Sequence, residues 1–133
     1  KYAGADYITP NLKEINAVLP DPIRNEDQPV ETAARSVMKK YQLGSLIVTR
    51  SEAGLSLICE GEIKHIPTKA QEVFDVSGAG DTVIAVFAMG IAGGIAPVAS
   101  AYLANLAAGV VVAKLGTYAV SREELLKALE KEK

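Results

Sequence analysis

The segment Asp75-Val76-Ser77-Gly78-Ala79-Gly80-Asp81-Thr82 places acids, hydroxyls and glycines side by side. Glycine reaches φ > 0 at little steric cost, so Gly78 and Gly80 let the backbone turn and approach a ligand closely. The apolar run that follows reads as a helix. The free N–H groups at a helix start point outward and favour an anion. The segment is therefore shaped to hold a phosphate. No Lys-Ser or Lys-Thr follows, so it is not a GxxxxGK[S/T] loop, and Asp81 departs from the dinucleotide GxGxxG pattern. An aspartate beside an anion hole has a specific use. The hole steadies a phosphoryl group in transfer, while the carboxylate orients the attacking hydroxyl and takes its proton. A plain reading stands beside this one: Asp81 caps the helix and the glycines turn the chain. Asp75 suits either a cation or a structural turn.

Two further groups could carry chemistry. In Thr9-Pro10-Asn11-Leu12-Lys13-Glu14, Asn11 and Glu14 have the spacing of an N-cap and its N3 partner. The same amide and carboxylate oxygens suit Mg²⁺ held through waters near nucleotide phosphates. Val48-Thr49-Arg50-Ser51-Glu52-Ala53-Gly54 reads as a strand running into a turn. The carboxyl end of a buried strand is where α/β proteins place ligands; read alone, the segment is a turn. His65 reads as a surface or half-buried hairpin residue, and Cys59 as a small apolar strand residue.

These residues need elements to position them. Asp6–Thr9 reads as a strand end before Pro10. Leu12–Leu19 reads as a short helix stopped by Pro20-Asp21-Pro22. Val30, Ala33, Ala34, Val37, Met38 and Tyr41 form one face of an amphipathic helix ending near Gly44. Ser45–Thr49 is a buried strand. Leu55–Cys59 and Ile63–Ile66 flank Glu60-Gly61-Glu62 as a hairpin. Gln71–Phe74 is one more strand. Two Ala-rich helices follow, and a last helix over Arg122–Glu130 starts at a Ser121/Glu124 capping box. The order β-α-α-β, hairpin, three helices predicts an α/β layered domain whose sheet is incomplete at its N-terminal side.

Composition narrows the function. The chain has 133 residues, 49% of them apolar, which suffices for one folded domain. Fourteen basic against sixteen acidic residues leave a net charge of −2, which argues against a nucleic-acid partner. Aromatics are 5%, with no Trp, so a base-stacking platform is not expected. One cysteine and one histidine exclude an internal disulfide and a multi-cysteine zinc site. Thr82–Ala113 carries no charge, but Gly93, Gly94 and Pro97 cut it into two pieces, so a soluble pair of close-packed helices is expected rather than a membrane span. No signal-peptide pattern is seen, and a cytoplasmic protein is expected. Lys1 stands where a start methionine would, as in a piece of a longer protein.

The Asp-x-Ser-GAGD segment resembles the C-terminal signature of the ribokinase-like (PfkB) carbohydrate kinases, and Asn11–Glu14 resembles that family's NxxE motif. The wording ITPNLKE, VTRSEAGLSL, AQEVFDVSGAGDTVIAV and LAAGVVVAKLGT is similar, more narrowly, to the heptose 7-phosphate kinases within it. This resemblance implies a three-layer α/β/α fold, of which residues 1–133 would be a single C-terminal, nucleotide-binding portion without the sugar-binding half. It implies phosphoryl transfer from ATP to a sugar hydroxyl: heptose 7-phosphate to the 1,7-bisphosphate, toward ADP-heptose and lipopolysaccharide. Asp81 would be the catalytic base, and the N–H groups of Gly78, Ala79, Gly80 and Asp81 the anion hole. Asn11, Leu12, Lys13 and Glu14 would line the phosphates and Mg²⁺. Thr49, Arg50, Ser51, Glu52 and Gly54 would edge the nucleotide, and Asn105 would flank the adenine. Asp75 and Ser77, with carbonyls near Lys114 and Gly116, would take K⁺. Another sugar substrate, or a nucleotide-binding module without activity, is the alternative. A membrane aspartyl protease of the GxGD type would need a second aspartate in another span. An incomplete sheet exposes edges and apolar faces, which invites association into a homodimer or aggregation.

Overall fold

The computed structural model describes residues 1–69, 73 and 75–132. They form two compact units, Lys1–Pro67 and Thr68–Lys133. The strand expected over Gln71–Phe74 falls on residues of which only Val73 is described.

The first unit is a four-stranded sheet in the order β1-β2-β3-β4. Its strands are β1 (Tyr7–Ile8), β2 (Ser45–Thr49), β3 (Leu55–Cys59) and β4 (Glu62–Ile66). β1 runs parallel to β2, and the β2–β3 and β3–β4 pairs are antiparallel. Helices α1 (Leu12–Val18) and α2 (Asp27–Tyr41) lie between β1 and β2 in sequence. The alternation of β2 turns Leu46 and Val48 toward the helices, where they join Ile15, Val30, Ala33, Ala34, Val37 and Ile58 in one core. Each fully buried Leu, Ile or Val side chain contributes about 1.5–3 kcal/mol relative to exposure. Ile47 and Leu57 are also buried, so β2 reads as a continuous apolar run.

Two details depart from the sequence reading. Helix α2 ends near Gly44, as expected, but its left-handed C-cap is Gln42 (φ 55°) rather than a glycine. Gly44 serves a different need: a Cβ there would lie 2.7 Å from the Asp6 carbonyl oxygen, so only glycine lets the β1 and β2 entries approach. Tyr41 leaves the buried face and lies under the Lys40 ammonium, 5.2 Å from its ring centroid.

The second unit holds α3 (Ala79–Ala92), α4 (Pro97–Val112) and α5 (Arg122–Lys131). Among the described residues no helix is long and apolar enough to cross a membrane. Gly90 and Gly94, four residues apart, serve separate needs. Gly94 (φ 79°) follows the α3 C-cap, where its N–H donates to the Ile91 carbonyl and the Ile95 N–H to the Gly90 carbonyl, the paired bonds of a Schellman motif. Gly90 sits where α3 meets α4: a Cβ there would lie 2.5 Å from Ser100 Oγ. Helix α5 begins at the expected capping box, with Ser121 and Glu124 bonded reciprocally. Glu124 also accepts from the Tyr118 hydroxyl at 2.9 Å and pairs with Lys114 at 3.3 Å. The Ser121 N–H, then the Tyr118 hydroxyl, hold its carboxyl down at about 2.

Gly90→Ala is expected to cost about 1–3 kcal/mol of stability by overpacking, read as a lower denaturation midpoint. The Glu124 bonds are fully present above its ordinary value of 4.5 and are lost as pH falls toward 2. The melting temperature should therefore drop across that window, and Glu124→Gln should show a shallower drop together with lower stability at neutral pH.

Candidate functional site

The residues singled out from sequence fall into one group in each unit. In the second unit the chain reaches α3 through a turn built on Asp75. The Ser77 N–H donates to the Asp75 carboxylate at 2.8 Å. Bonds from the Ser77 backbone and hydroxyl, and from the Gly116 backbone, hold the Asp75 carboxyl below its usual range. The Asp75 N–H in turn donates to the Val112 carbonyl at 3.3 Å. The 75–77 and 112–116 segments therefore meet, as a K⁺ site would need. The Asp75 oxygens, however, face N–H and O–H donors, so backbone carbonyls would have to supply most of the cation's ligands. Among the described residues no group of three or more His, Cys, Asp or Glu side chains is arranged to hold a metal.

Helix α3 starts at Gly78, whose φ of 80° only glycine adopts easily. Of the plain readings, the glycine turn is seen and the aspartate cap is not: Asp81 lies in the first turn, and no described side chain caps the helix. The Ala79 N–H reaches the Val76 carbonyl at 3.3 Å and the Thr82 N–H the Gly78 carbonyl at 2.9 Å. Among the described residues, the Gly78, Gly80 and Asp81 N–H groups have no acceptor. The exposed Asp81 carboxylate likewise has no hydrogen-bond or ion-pair partner among them. Unpaired amides and one carboxylate thus share a single helical turn, at the positive end of the α3 dipole. This turn can bind an anion and accept a proton beside it. Asn105 is buried within α4.

In the first unit Asn11 caps α1. Its Oδ1 accepts from the Glu14 N–H and Glu14 Oε2 accepts from the Asn11 N–H, each at 2.8 Å. The structural reading of this pair is therefore realised. Glu14 keeps its second carboxylate oxygen, and a magnesium ion held through water needs little more. Lys13 is exposed beside it, and Leu12 packs against the core. Asn11 and Thr49 form a parallel bridge, and the Thr49 N–H donates to the Pro10 carbonyl at 3.0 Å. The NxxE segment and the β2 end are thus adjacent at the carboxyl ends of two parallel strands. Beyond Thr49 the chain makes a 3-10 turn over Ser51–Ala53 and leaves it at Gly54 (φ 85°). Ser51 and Glu52 are exposed, whereas the Arg50 side chain is 3% exposed and turned inward.

The sequence pattern of the pfkB family carbohydrate kinases matches residues 2–124. The chain belongs to the pfkB family of carbohydrate kinases. A curated relative, the bifunctional protein HldE of Trichlorobacter lovleyi, is 50% identical over an alignment of 133 positions that covers 99% of this chain and 27% of that protein. The chain thus spans about a quarter of the length of such relatives. Ribokinase from Thermotoga maritima matches with a TM-score of 0.83 at 29% identity, over 94% of this chain and 42% of its own. Arabidopsis thaliana ribokinase, solved with ribose and ATP, matches with a TM-score of 0.84 at 25% identity, over 94% of this chain and 41% of its own. The fold is the ribokinase-like α/β fold of the pfkB family.

Sequence reasoning missed one cluster. Arg50 Nη1 donates to Asp27 Oδ1 at 2.6 Å and Ser56 Oγ at 3.0 Å, and its Nε donates to Asn25 Oδ1 at 2.9 Å. His65 joins Ser56 through Nδ1 and Glu31 through Nε2, both at 2.7 Å. With the ring proton on Nε2, the Ser56 hydroxyl donates to Nδ1 and the Glu31 carboxylate accepts, which closes the pattern. The Arg50 hydrogen bond holds the Asp27 carboxyl below its usual range. A signal existed: the β2 alternation puts Arg50 on the face of Leu46 and Val48, and Asp27 and Glu31 border the buried stripe of α2.

A Cβ at Gly80 would meet nothing within 4 Å. Gly80→Ala should therefore keep or slightly raise stability, since alanine favours a helix by about 0.5–1 kcal/mol. If a phosphate approaches this backbone, the same variant should bind Mg-ATP more weakly, which calorimetry beside a denaturation curve would read.

Proposed function

We propose that this chain is the C-terminal, nucleotide-binding portion of a kinase domain that transfers the γ-phosphoryl group of ATP to a sugar hydroxyl. The proposed acceptor is the anomeric hydroxyl of D-glycero-β-D-manno-heptose 7-phosphate, giving the 1,7-bisphosphate for ADP-heptose synthesis. The observation that carries the reading is the start of α3, where, among the described residues, the Gly78, Gly80 and Asp81 N–H groups have no acceptor and the Asp81 carboxylate has no partner. The identity to a protein named HldE supports the heptose acceptor. Ribose and ATP in the Arabidopsis ribokinase structure support the reaction class. The shares of those chains that are matched support a sugar pocket built elsewhere in the whole protein.

The chemistry follows from the first turn of α3. The sugar oxygen attacks the γ-phosphorus as the bond from that phosphorus to the β–γ bridging oxygen breaks, and ADP leaves. Asp81 takes the hydroxyl proton. The Gly78, Gly80 and Asp81 amides face the charge that develops on the phosphoryl oxygens. In the first unit, Asn11 to Glu14 and the Thr49–Gly54 turn are the proposed nucleotide-binding residues; in the second, Asn105 is the proposed adenine-flanking residue. Mg²⁺, held through water by the free Glu14 oxygen, would screen the phosphate charge. K⁺, if used, would lie at the meeting of the 75–77 and 112–116 segments.

Asp81→Asn in the intact kinase should cut ADP release with heptose 7-phosphate by at least about a hundredfold, the scale of a lost general base. Mg-ATP affinity should stay close to that of the unaltered protein. Retained turnover would remove Asp81 as the base. Turnover with a different sugar alone would keep the kinase and replace the acceptor. ADP release by residues 1–133 alone would show that the sugar site lies within them.

A further inference from the structure

The geometry points to Asn25 as the residue that positions the Arg50–Gly54 turn for the nucleotide, with the buried Arg50 side chain as its anchor. This rests on the reading that the turn edges the nucleotide. The primary amide of Asn25 grips one residue twice. Its Nδ2 donates to the Arg50 carbonyl at 3.0 Å, and its Oδ1 accepts from Arg50 Nε at 2.9 Å. Nδ2 also reaches Glu52 Oε1 at 3.4 Å, inside the turn itself.

The grip matters because, among the described residues, the other backbone hydrogen bonds of the turn lie within it. The Arg50 N–H donates to the Gly54 carbonyl at 2.8 Å, the Ala53 N–H to the Arg50 carbonyl at 3.1 Å, and the Gly54 N–H to the Ser51 carbonyl at 3.1 Å. Ser51 carries a positive φ of 53°, a conformation that residues other than glycine hold only when their surroundings enforce it. The Arg50 carbonyl is shared between the Ala53 N–H and the Asn25 amide, so Asn25 fixes the carbonyl around which the turn closes. The guanidinium, 3% exposed, is then locked by Asp27 on α2, Ser56 on β3 and His65 on β4. A bond to a buried guanidinium is short and directional, so the frame transmits little slack. Arg50 thus serves the nucleotide through its backbone, while its side chain ties the turn to α2 and the hairpin.

The test is Asn25→Ala in the intact kinase, with amide hydrogen exchange and ATP kinetics read together. Exchange at Ala53 and Gly54 should quicken about tenfold, the scale of one lost hydrogen bond, while β2 amides keep their protection. KM for ATP should rise by a similar factor, with kcat at saturating ATP retained. Unchanged exchange overturns the proposal, as does faster exchange with unchanged KM for ATP. If Asn25→Ala does not fold, Asn25→Asp keeps the acceptor for Arg50 Nε and deletes the donor to the carbonyl, and the same two readouts apply. An unaltered kinase that binds no ATP would instead overturn the nucleotide reading itself, and the proposal with it.

Discussion

A guanidinium removed from water must be paired and hydrogen-bonded, because an isolated buried charge costs far more than any single packing contact returns. Arg50 meets this constraint in the first unit with partners drawn from four places in the chain: Asn25, Asp27, Ser56 and His65. The pairing therefore does more than neutralise a charge. It sets where the end of β2, the start of α2 and the β3–β4 hairpin meet. Leucine contacts alone would tolerate some sliding, since apolar attraction is not directional. The fork of the guanidinium is directional, and the turn that follows Arg50 inherits that definition.

The second unit shows the opposite treatment of polar groups. Helices α1 and α5 both begin with capping boxes that engage backbone donors. Helix α3 begins with a glycine in the left-handed region and no side-chain cap. Unpaired donors are tolerable at an exposed helix start, where water can reach them, and they are what an anion needs. The Asp75 turn and its bonds to the 112–116 segment hold this start without using its amides. Close packing of α3 on α4, with Gly90 against Ser100, then fixes the direction of the helix behind it.

Much of this was legible from residues alone. The helix periodicity of α2, the apolar run of β2, the hairpin around Gly61 and both capping boxes follow from local rules, because each depends on neighbours within a few positions. The GAGD and NxxE segments were legible for the same reason, as was the family to which they belong. The end of α2 near Gly44 was legible, but the need for a glycine there was not, because it comes from a contact with Asp6, far away in sequence. The plain alternative for Asp81, a helix cap, was decided only by the backbone of Gly78 and the first turn of α3.

By itself the sequence determined the helices and strands of the described residues, their order, the glycine turn before α3 and the family to which that segment belongs. Tertiary structure alone decided that Arg50 turns inward rather than toward a ligand, that His65 joins Ser56 to Glu31, and that Asn11 lies beside Thr49. The physical reason is range. Capping, turning and periodic burial are settled within a few residues. The partners of a buried charge, and the amides a fold leaves unpaired, depend on which distant segments the sheet and helices bring together.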